Sequence, residues 1–347
     1  MYQIDFTGIV HEAWLAYDAS RTIKSVSDIS AKVSTNHVYK VVFENDDFVI
    51  AKLSYFGYYE HFVEDHTIIN VLANNLPAPF ENFLARSLIK ENELFVYRFR
   101  NEQVDAWVVF YRAIRINKML PRRLEEKHIT GLGKEFAIFH KACSQVKNTL
   151  PKSSKTLYTD LEHLLEILAS DFGKFEHRGH IDTLKKQIEI FYKNTTQLKL
   201  SEVEKIPVFV DWNIGNFSIA PGPKLFSRWD YDWFRISTRA MDFYFLSRIV
   251  SDIGDRTVFS YNIGPLNEDR FLLFLKCYHK VNPLSETEVR LLKECYRFFI
   301  LNYVIKDGRY FFHEIYATKL QKEAYESYFP NLEQGFSAEK ILKALKI

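Results

Sequence analysis

Cysteine is scarce in this chain: three residues, Cys143, Cys277 and Cys295, widely spaced and odd in number. They make no metal-ligand pattern, and the reading they favour is reduced thiols in a cytosol. No apolar run approaches the ~20 residues that a membrane span needs; Ala106 to Tyr111 and Phe298 to Leu301 are far too short. The opening Met-Tyr-Gln-Ile-Asp-Phe lacks a basic stretch followed by an apolar core, so no secretion signal is expected. Nor does one sign of charge dominate: 46 Lys and Arg face 44 Asp and Glu, a net +2, with no dense basic block. That balance argues against nucleic acid as the main partner. No internal repeat and no low-complexity segment interrupts the chain. These absences leave a globular protein expected in the cytoplasm, with neither membrane nor nucleic acid as partner.

What is present supports a large core. The 347 residues are 47% apolar and 26% charged, enough for one large domain or two lobes. Aromatic residues reach 16%, with 30 Phe and 20 Tyr, which implies aromatic-rich packing. Residues 8–20 carry helical spacing. From about residue 24 the character turns to β: Val38 to Phe43 is rich in β-branched and aromatic residues, Glu44-Asn-Asp-Asp47 reads as a turn, and Phe48 to Leu53 as the return strand. Phe48, Ile50 and Lys52 share one face of that strand by its period of two. Residues 56–73 read as a helix that Leu76-Pro-Ala-Pro79 ends. Residues 93–97 and 106–113 read as two more strands. Beyond Pro121 the spacing is helical over 131–146, 155–171, 181–197, 239–253, 268–280, 285–306 and 309–327. The exception is 206–230, where short strand-like pieces, Pro207 to Val210, Phe217 to Ile219 and Leu225-Phe226, bracket a polar motif. The pattern predicts an α+β fold: a small antiparallel β lobe over 1–114, a connection near 112–118, and a larger, mainly helical lobe over 115–347.

The polar motif is Asp211-Trp-Asn-Ile-Gly-Asn216, followed by Asp230 in Trp229-Asp-Tyr-Asp232. A carboxylate, an amide five residues on and a second carboxylate are the groups that Mg-ATP phosphoryl transfer requires in one cleft. Asp211 is placed to orient an attacking hydroxyl. Asn216 and Asp230 form a hard oxygen set suited to magnesium, Gly215 allows a tight loop, and Lys52 sits on a strand from which it can reach the phosphates. Asp-x4-Asn alone is a weak motif; its weight comes from the order Lys, Asp-x4-Asn, Asp and from the lobe pattern around it.

Four stretches together resemble the aminoglycoside/choline kinase-like phosphotransferase family, relatives of protein kinases. They are Ser34-Thr-Asn-His-Val-Tyr-Lys-Val41, the return strand to Lys52, Leu132 to Lys141 with its Phe139-His140 pair, and Val208 to Asn216 with Trp229 to Asp232 and Ala240-Met-Asp242. The likeness spans about residues 30–250. It implies a two-lobed protein-kinase-like fold and an ATP- and Mg-dependent kinase that phosphorylates a hydroxyl of a small molecule, an aminoglycoside, choline or ethanolamine, homoserine or similar. In that frame Asp211 is the catalytic base, Asn216 and Asp230 the magnesium ligands, and Lys52 the partner of the ATP phosphates, with Ser34 and Asn36 in the loop beside the nucleotide. Glu64 or Asp65 would hold Lys52, Glu64 being preferred for its reach, and Asp242 would cap its helix. His140 reads as a buried structural histidine.

Two features depart from the family. It writes His-Gly-Asp at the catalytic aspartate, where this chain has Phe209-Val210-Asp211, and Arg228 is an unusual charge in a strand that should be apolar. The missing histidine keeps a second reading open, a catalytically impaired pseudokinase acting as a binding module. Trp212, Tyr231, Trp233 and Phe234 either face a quaternary ammonium or pack the core. The near balance of Lys and Arg with Asp and Glu over 241–347 gives no support for a strongly cationic substrate.

Overall fold

The computed structural model describes residues 4–31, 34–113, 115–252 and 260–347. Residue 114 of the expected connection and the last residue of the expected 239–253 helix lie outside them.

The chain opens with α1 (Phe6–Tyr17), whose first turn is capped by Asp5 accepting from the Gly8 amide at 2.9 Å. The small lobe is then built from β1 (Ile23–Asp28), β2 (His37–Phe43), β3 (Phe48–Ser54), α2 (Tyr59–Asn75), a minor hairpin of β4 (Ile89–Lys90) and β5 (Glu93–Leu94), and β6 (Val96–Arg100) and β7 (Asp105–Arg112). Five of these strands form one antiparallel sheet in the order β1-β2-β3-β7-β6. Along β3 the side chains alternate. Val49, Ala51 and Leu53 join the cluster of Ile9, Val10 and Trp14 from α1. Lys52, between Val38 and Val109 in the ladder, belongs to the opposite face. β3 is the central strand, so the backbone that carries Lys52 is fixed on both sides. The strand expected over 93–97 divides: Glu93 and Leu94 turn back on β4, and the Phe95 amide donates to Leu88 before the ladder begins at Val96.

α2 stops at Asn75 because Pro77 forces Leu76 into an extended conformation, ψ 128°. The larger lobe follows with α3 (Glu126–Val146), α4 (Leu157–Ala169), α5 (Asp171–Glu176) and α6 (Ile181–Gln197). Next come the short strands β8 (Ile206–Val208), β9 (Phe217–Ala220), β10 (Lys224–Arg228) and β11 (Arg235–Ser237), then α7 (Phe243–Val250), α8 (Asp269–Val281) and α9 (Glu286–Phe299). α10 (Gly308–Phe311), α11 (Glu314–Glu323), α12 (Phe329–Leu332) and α13 (Ala338–Leu345) close the chain. α3 and α8 pack so closely that a Cβ on Gly133 would stand 2.5 Å from the Phe274 carbonyl oxygen. One apolar core runs from these helices up to Val109 and Tyr111 under the sheet, taking in Ile68 and Leu72 of α2.

The expected 285–306 helix is present as α9 and continues from Ile300 to Lys306 with π-helical bonding. The 309–327 helix is interrupted at Phe312, which turns extended and bridges to Ser34 in the β1–β2 turn.

Candidate active site

Two minimal sheets, β8 with β11 and β9 with β10, set the site. The loop that leaves β8 carries Asp211 to Asn216, and the loop that leaves β10 carries Asp230 to Asp232. The Trp229 amide donates to the Asn216 carbonyl at 3.0 Å and ties one loop to the other. Asp230 therefore lies just past the end of a strand, at φ +69°.

The tightness of the first loop comes from Val210, not from Gly215. Val210 holds φ +60°, an uncommon conformation for a β-branched residue, whereas Gly215 is exposed and a Cβ there would meet nothing. The strain at Val210 is held by Asp242, which is fully buried. Its Oδ1 accepts from the amides of Phe209 at 3.0 Å and Val210 at 2.7 Å, and its Oδ2 is 3.0 Å from His140 Nε2. Nδ1 of His140 is 2.7 Å from the Tyr278 hydroxyl. So Asp242 does not cap its own helix, where it makes no side-chain cap bond; it caps the loop that presents Asp211. His140 is buried and acts through that carboxylate.

Within the loop, Asn216 Nδ2 donates to Asp211 Oδ2 at 3.0 Å, and the Asn213 amide donates to Asp211 Oδ1 at 3.2 Å. The amide nitrogen of Asn216 is committed to Asp211, which leaves its oxygen as the donor toward a cation. Asp230 keeps 38% of its side chain exposed although Lys52 Nζ stands 3.1 Å from its Oδ1. A neutral oxygen and a half-exposed carboxylate on adjoining loops fit a hard divalent cation.

Lys52 is buried and gives its charge to two carboxylates, Asp230 and, still closer, Asp232. Burial opposes its ammonium, but these two partners overcome that and hold its pKa above the ordinary lysine value. Burial also pushes up the carboxyl of Asp232, and the Asp230 charge adds to it against the pull of Lys52. Asp230 ends below its usual value because Lys52 and Arg228 outweigh its desolvation.

The expected partner of Lys52 on α2 is not there. Glu64 accepts from Ser153 Oγ and the Ser154 amide, both at 2.8 Å, and Asp65 pairs with Lys155. α2 turns His66 toward the lysine instead, with Nε2 2.5 Å from the Tyr111 hydroxyl. Burial, reinforced by Lys52, depresses the His66 pKa to about 3, so it stands neutral. Asp232 takes the role expected of α2, and its signal was visible as the second acid of Asp-Tyr-Asp.

Ser34 and Asn36 fold back on the large lobe. Ser34 Oγ accepts from the Asn36 amide at 3.1 Å, Asn36 Nδ2 donates to Asp232 Oδ2 at 2.7 Å, and Asn36 Oδ1 accepts from Ser54 Oγ at 2.9 Å. Between them, Thr35 donates its hydroxyl to the Tyr310 carbonyl. Trp212, Tyr231, Trp233 and Phe234 are all buried; Trp212, edge-on to Phe136 at 4.6 Å, and Trp233 pack the lobe, whereas Tyr231 and Phe234 also line the cavity beside Asp232.

No protein-family model matches the chain, and no curated protein does. Solved structures do. An amicoumacin kinase in complex with AMP-PNP, Ca2+ and Ami is 13% identical, with 97% of each chain covered and a TM-score of 0.67. A microcompartment-associated aminopropanol kinase is 17% identical over 97% of this chain and 98% of that one, at 0.61. The GDP complex of a wild-type aminoglycoside 2'-phosphotransferase-IIIa is 12% identical over 94% and 99%, at 0.57. The chain has the two-lobed, protein-kinase-like α+β fold of the aminoglycoside phosphotransferase type.

Proposed function

We propose that this protein is a nucleotide-dependent phosphotransferase that moves a terminal phosphoryl group to a hydroxyl of a small molecule. The observation that carries this reading is the meeting of Lys52, Asp230, Asp211 and Asn216 at the lobe boundary, from three separate stretches of chain. Lys52 would turn from its carboxylates to the phosphates. Asp211, oriented by Asn216 and the Asn213 amide, would align the acceptor hydroxyl and accept its proton as the new P–O bond forms and the bond to the departing nucleoside diphosphate breaks. Asn216 and Asp230 would hold a magnesium ion, whose charge, when it is bound, offsets that on the phosphates. One of the similar structures is a complex with AMP-PNP and another a complex with GDP, so both ATP and GTP belong in the test.

A cavity of about 440 Å3 between α2, α4 and the 300–311 segment reaches Asn36 and Asp232 and is our acceptor site. Its lining is acidic: Glu60, Asp65, Asp160, Glu166, Asp232 and Asp307 stand among Lys155, Arg235 and Lys306, with Asp65 paired to Lys155 and Asp160 to Arg235 and Lys306. The excess of carboxylates over cations favours an acceptor that carries positive charge. Asp211 lies outside the lining, so such an acceptor must extend its hydroxyl past Asp232.

The test is calorimetric titration of ATP and of GTP with and without magnesium, then a screen of small alcohols for nucleoside diphosphate release. Asp211→Ala should abolish release while nucleotide binding persists; full turnover in that variant would remove Asp211 from the chemistry. The occupation of Lys52 by Asp232 and the phenylalanine at 209 favour one second reading, a nucleotide-binding module. Magnesium-dependent binding without turnover on any alcohol would select it.

A further inference from the structure

Arg228 is the charge that the function above leaves unused. It is fully buried on β10, and among the described residues no carboxylate forms an ion pair with it. Its Nη2 donates to two backbone carbonyls, that of Asp211 at 2.9 Å and that of Asp230 at 3.3 Å. Its guanidinium carbon stands 4.2 Å from the Trp212 ring centroid and 4.7 Å from that of Phe209. Nε and Nη1 find no hydrogen-bond partner among the described residues. Burying a cation on so few partners is costly, and an apolar side chain of similar length would fill the space at less expense.

The two carbonyls that it joins explain why a cation is there. One belongs to Asp211, the residue after strained Val210; the other belongs to Asp230, itself at positive φ. Each carbonyl is the backbone of a residue whose side chain must face the same few ångströms of cleft, yet the residues sit on different loops. A single guanidinium nitrogen, Nη2, donates to both and fixes their separation, and the aromatic faces of Phe209 and Trp212 fix the plane of the group. The Trp229–Asn216 backbone bond is the remaining tie between these loops already described.

We infer that Arg228 is a positioning residue that sets the distance between Asp211 and Asp230 by bridging their carbonyls from below the cleft. The inference rests on the phosphotransferase reading for its catalytic consequence but not for its structural one, and the test separates them. Hydrogen exchange followed by mass spectrometry is run on wild type, Arg228→Met and Arg228→Lys. Met removes the charge and both donated bonds; Lys keeps the charge and loses the planar group held by the Phe209 and Trp212 rings. In both variants, peptides covering 209–216 and 229–234 should lose protection by about tenfold or more while α3 and α8 keep theirs, since loops open locally at lower cost than the core. Unchanged exchange in these loops overturns the inference whether or not the protein transfers phosphate. A uniform loss across α3 and α8 in Arg228→Lys also overturns it, because that reports general stability. Should Arg228→Met fail to fold, Arg228→Lys decides alone. With an acceptor in hand, kcat should fall about 10²-fold at a little-changed nucleotide KM, the cost of a misplacement near 1 Å. A wild type that binds no nucleotide would sink the functional reading and leave the exchange result standing.

Discussion

Replacing Asp242 by alanine removes a side chain that never meets the cleft, and it should be among the most disruptive single changes in the lobe. The carboxylate is fully buried and serves three groups: the amides of Phe209 and Val210 and the ring of His140. Without it, two backbone donors and one ring nitrogen lose their acceptor where water has little access. Each buried orphan costs about 1–3 kcal/mol. The left-handed Val210, worth about 1–3 kcal/mol of strain, would also lose the contact that holds it. These terms overlap, because the loop will relax and satisfy some groups elsewhere, so we expect a net loss of about 3–5 kcal/mol, as for breaking a buried charged pair. For a chain of this size that is a fall in melting temperature of about 5–15 °C. Asp242→Asn is the control: its oxygen can still accept from both amides, and its loss should be clearly smaller. Thermal unfolding by circular dichroism at one pH reads both. If Asp242→Ala melts within about 2 °C of wild type, the loop does not depend on that carboxylate and the account of Val210 is wrong.

Other outcomes follow from the same geometry. Asp230→Ala should weaken magnesium-dependent nucleotide binding by about tenfold or more, and calorimetry showing equal affinity would remove Asp230 from the cation site. Phe209→His places a polar ring among Phe139, Trp212 and Phe234 beside the Arg228 cation; it should destabilise by about 1–3 kcal/mol in urea unfolding, and a neutral result would mean that the pocket accepts a histidine after all. In the folded protein His66 has a pKa of about 3 against an ordinary value of 6.5, with Lys52, Lys155 and Asp230 as its charged neighbours. A depressed basic pKa means that its contribution is intact above pH 6.5 and is lost progressively as pH falls toward 3. Asp65 runs the other way, raised to about 6 by burial despite Lys155: its contribution is present below pH 3.8 and lost as pH rises through 6. Between about pH 6 and 4 the two oppose each other, so His66→Gln should gain acid resistance relative to wild type and Asp65→Asn should lose it. Parallel slopes of unfolding free energy against pH for all three proteins would refute both assignments.

Much of the frame was legible because it follows from local rules. The central strand around Lys52 shows in its alternation, the end of α2 in Pro77, and the joint presence of Asp211, Asn216 and Asp230 in their spacing. What the sequence could not reveal is which acids face which bases across the lobes. Glu64 and Lys52 looked like partners on reach alone; only the path of residues 153–155 under α2 shows that Glu64 is already taken by Ser153 and Ser154. Asp242 looked like a helix cap by position, because nothing local reports that the loop more than 30 residues earlier returns to it. Arg228 looked misplaced because a strand pattern has no way to register a cation whose partners are carbonyls, one two residues on and one in the loop after β8. The break at Phe312 and the π-helical stretch after Phe299 were hidden for a similar reason: the apolar spacing continues through both.

The bridge from Ser34 to Phe312, with Thr35 on the Tyr310 carbonyl, joins the tip of the small lobe to the far end of the chain. The segment at its other end, 310–311, is also a wall of the cavity assigned to the acceptor. A substitution at Tyr310 or Phe312 therefore bears on two places at once, the turn that holds Asn36 beside Asp232 and the wall of that cavity.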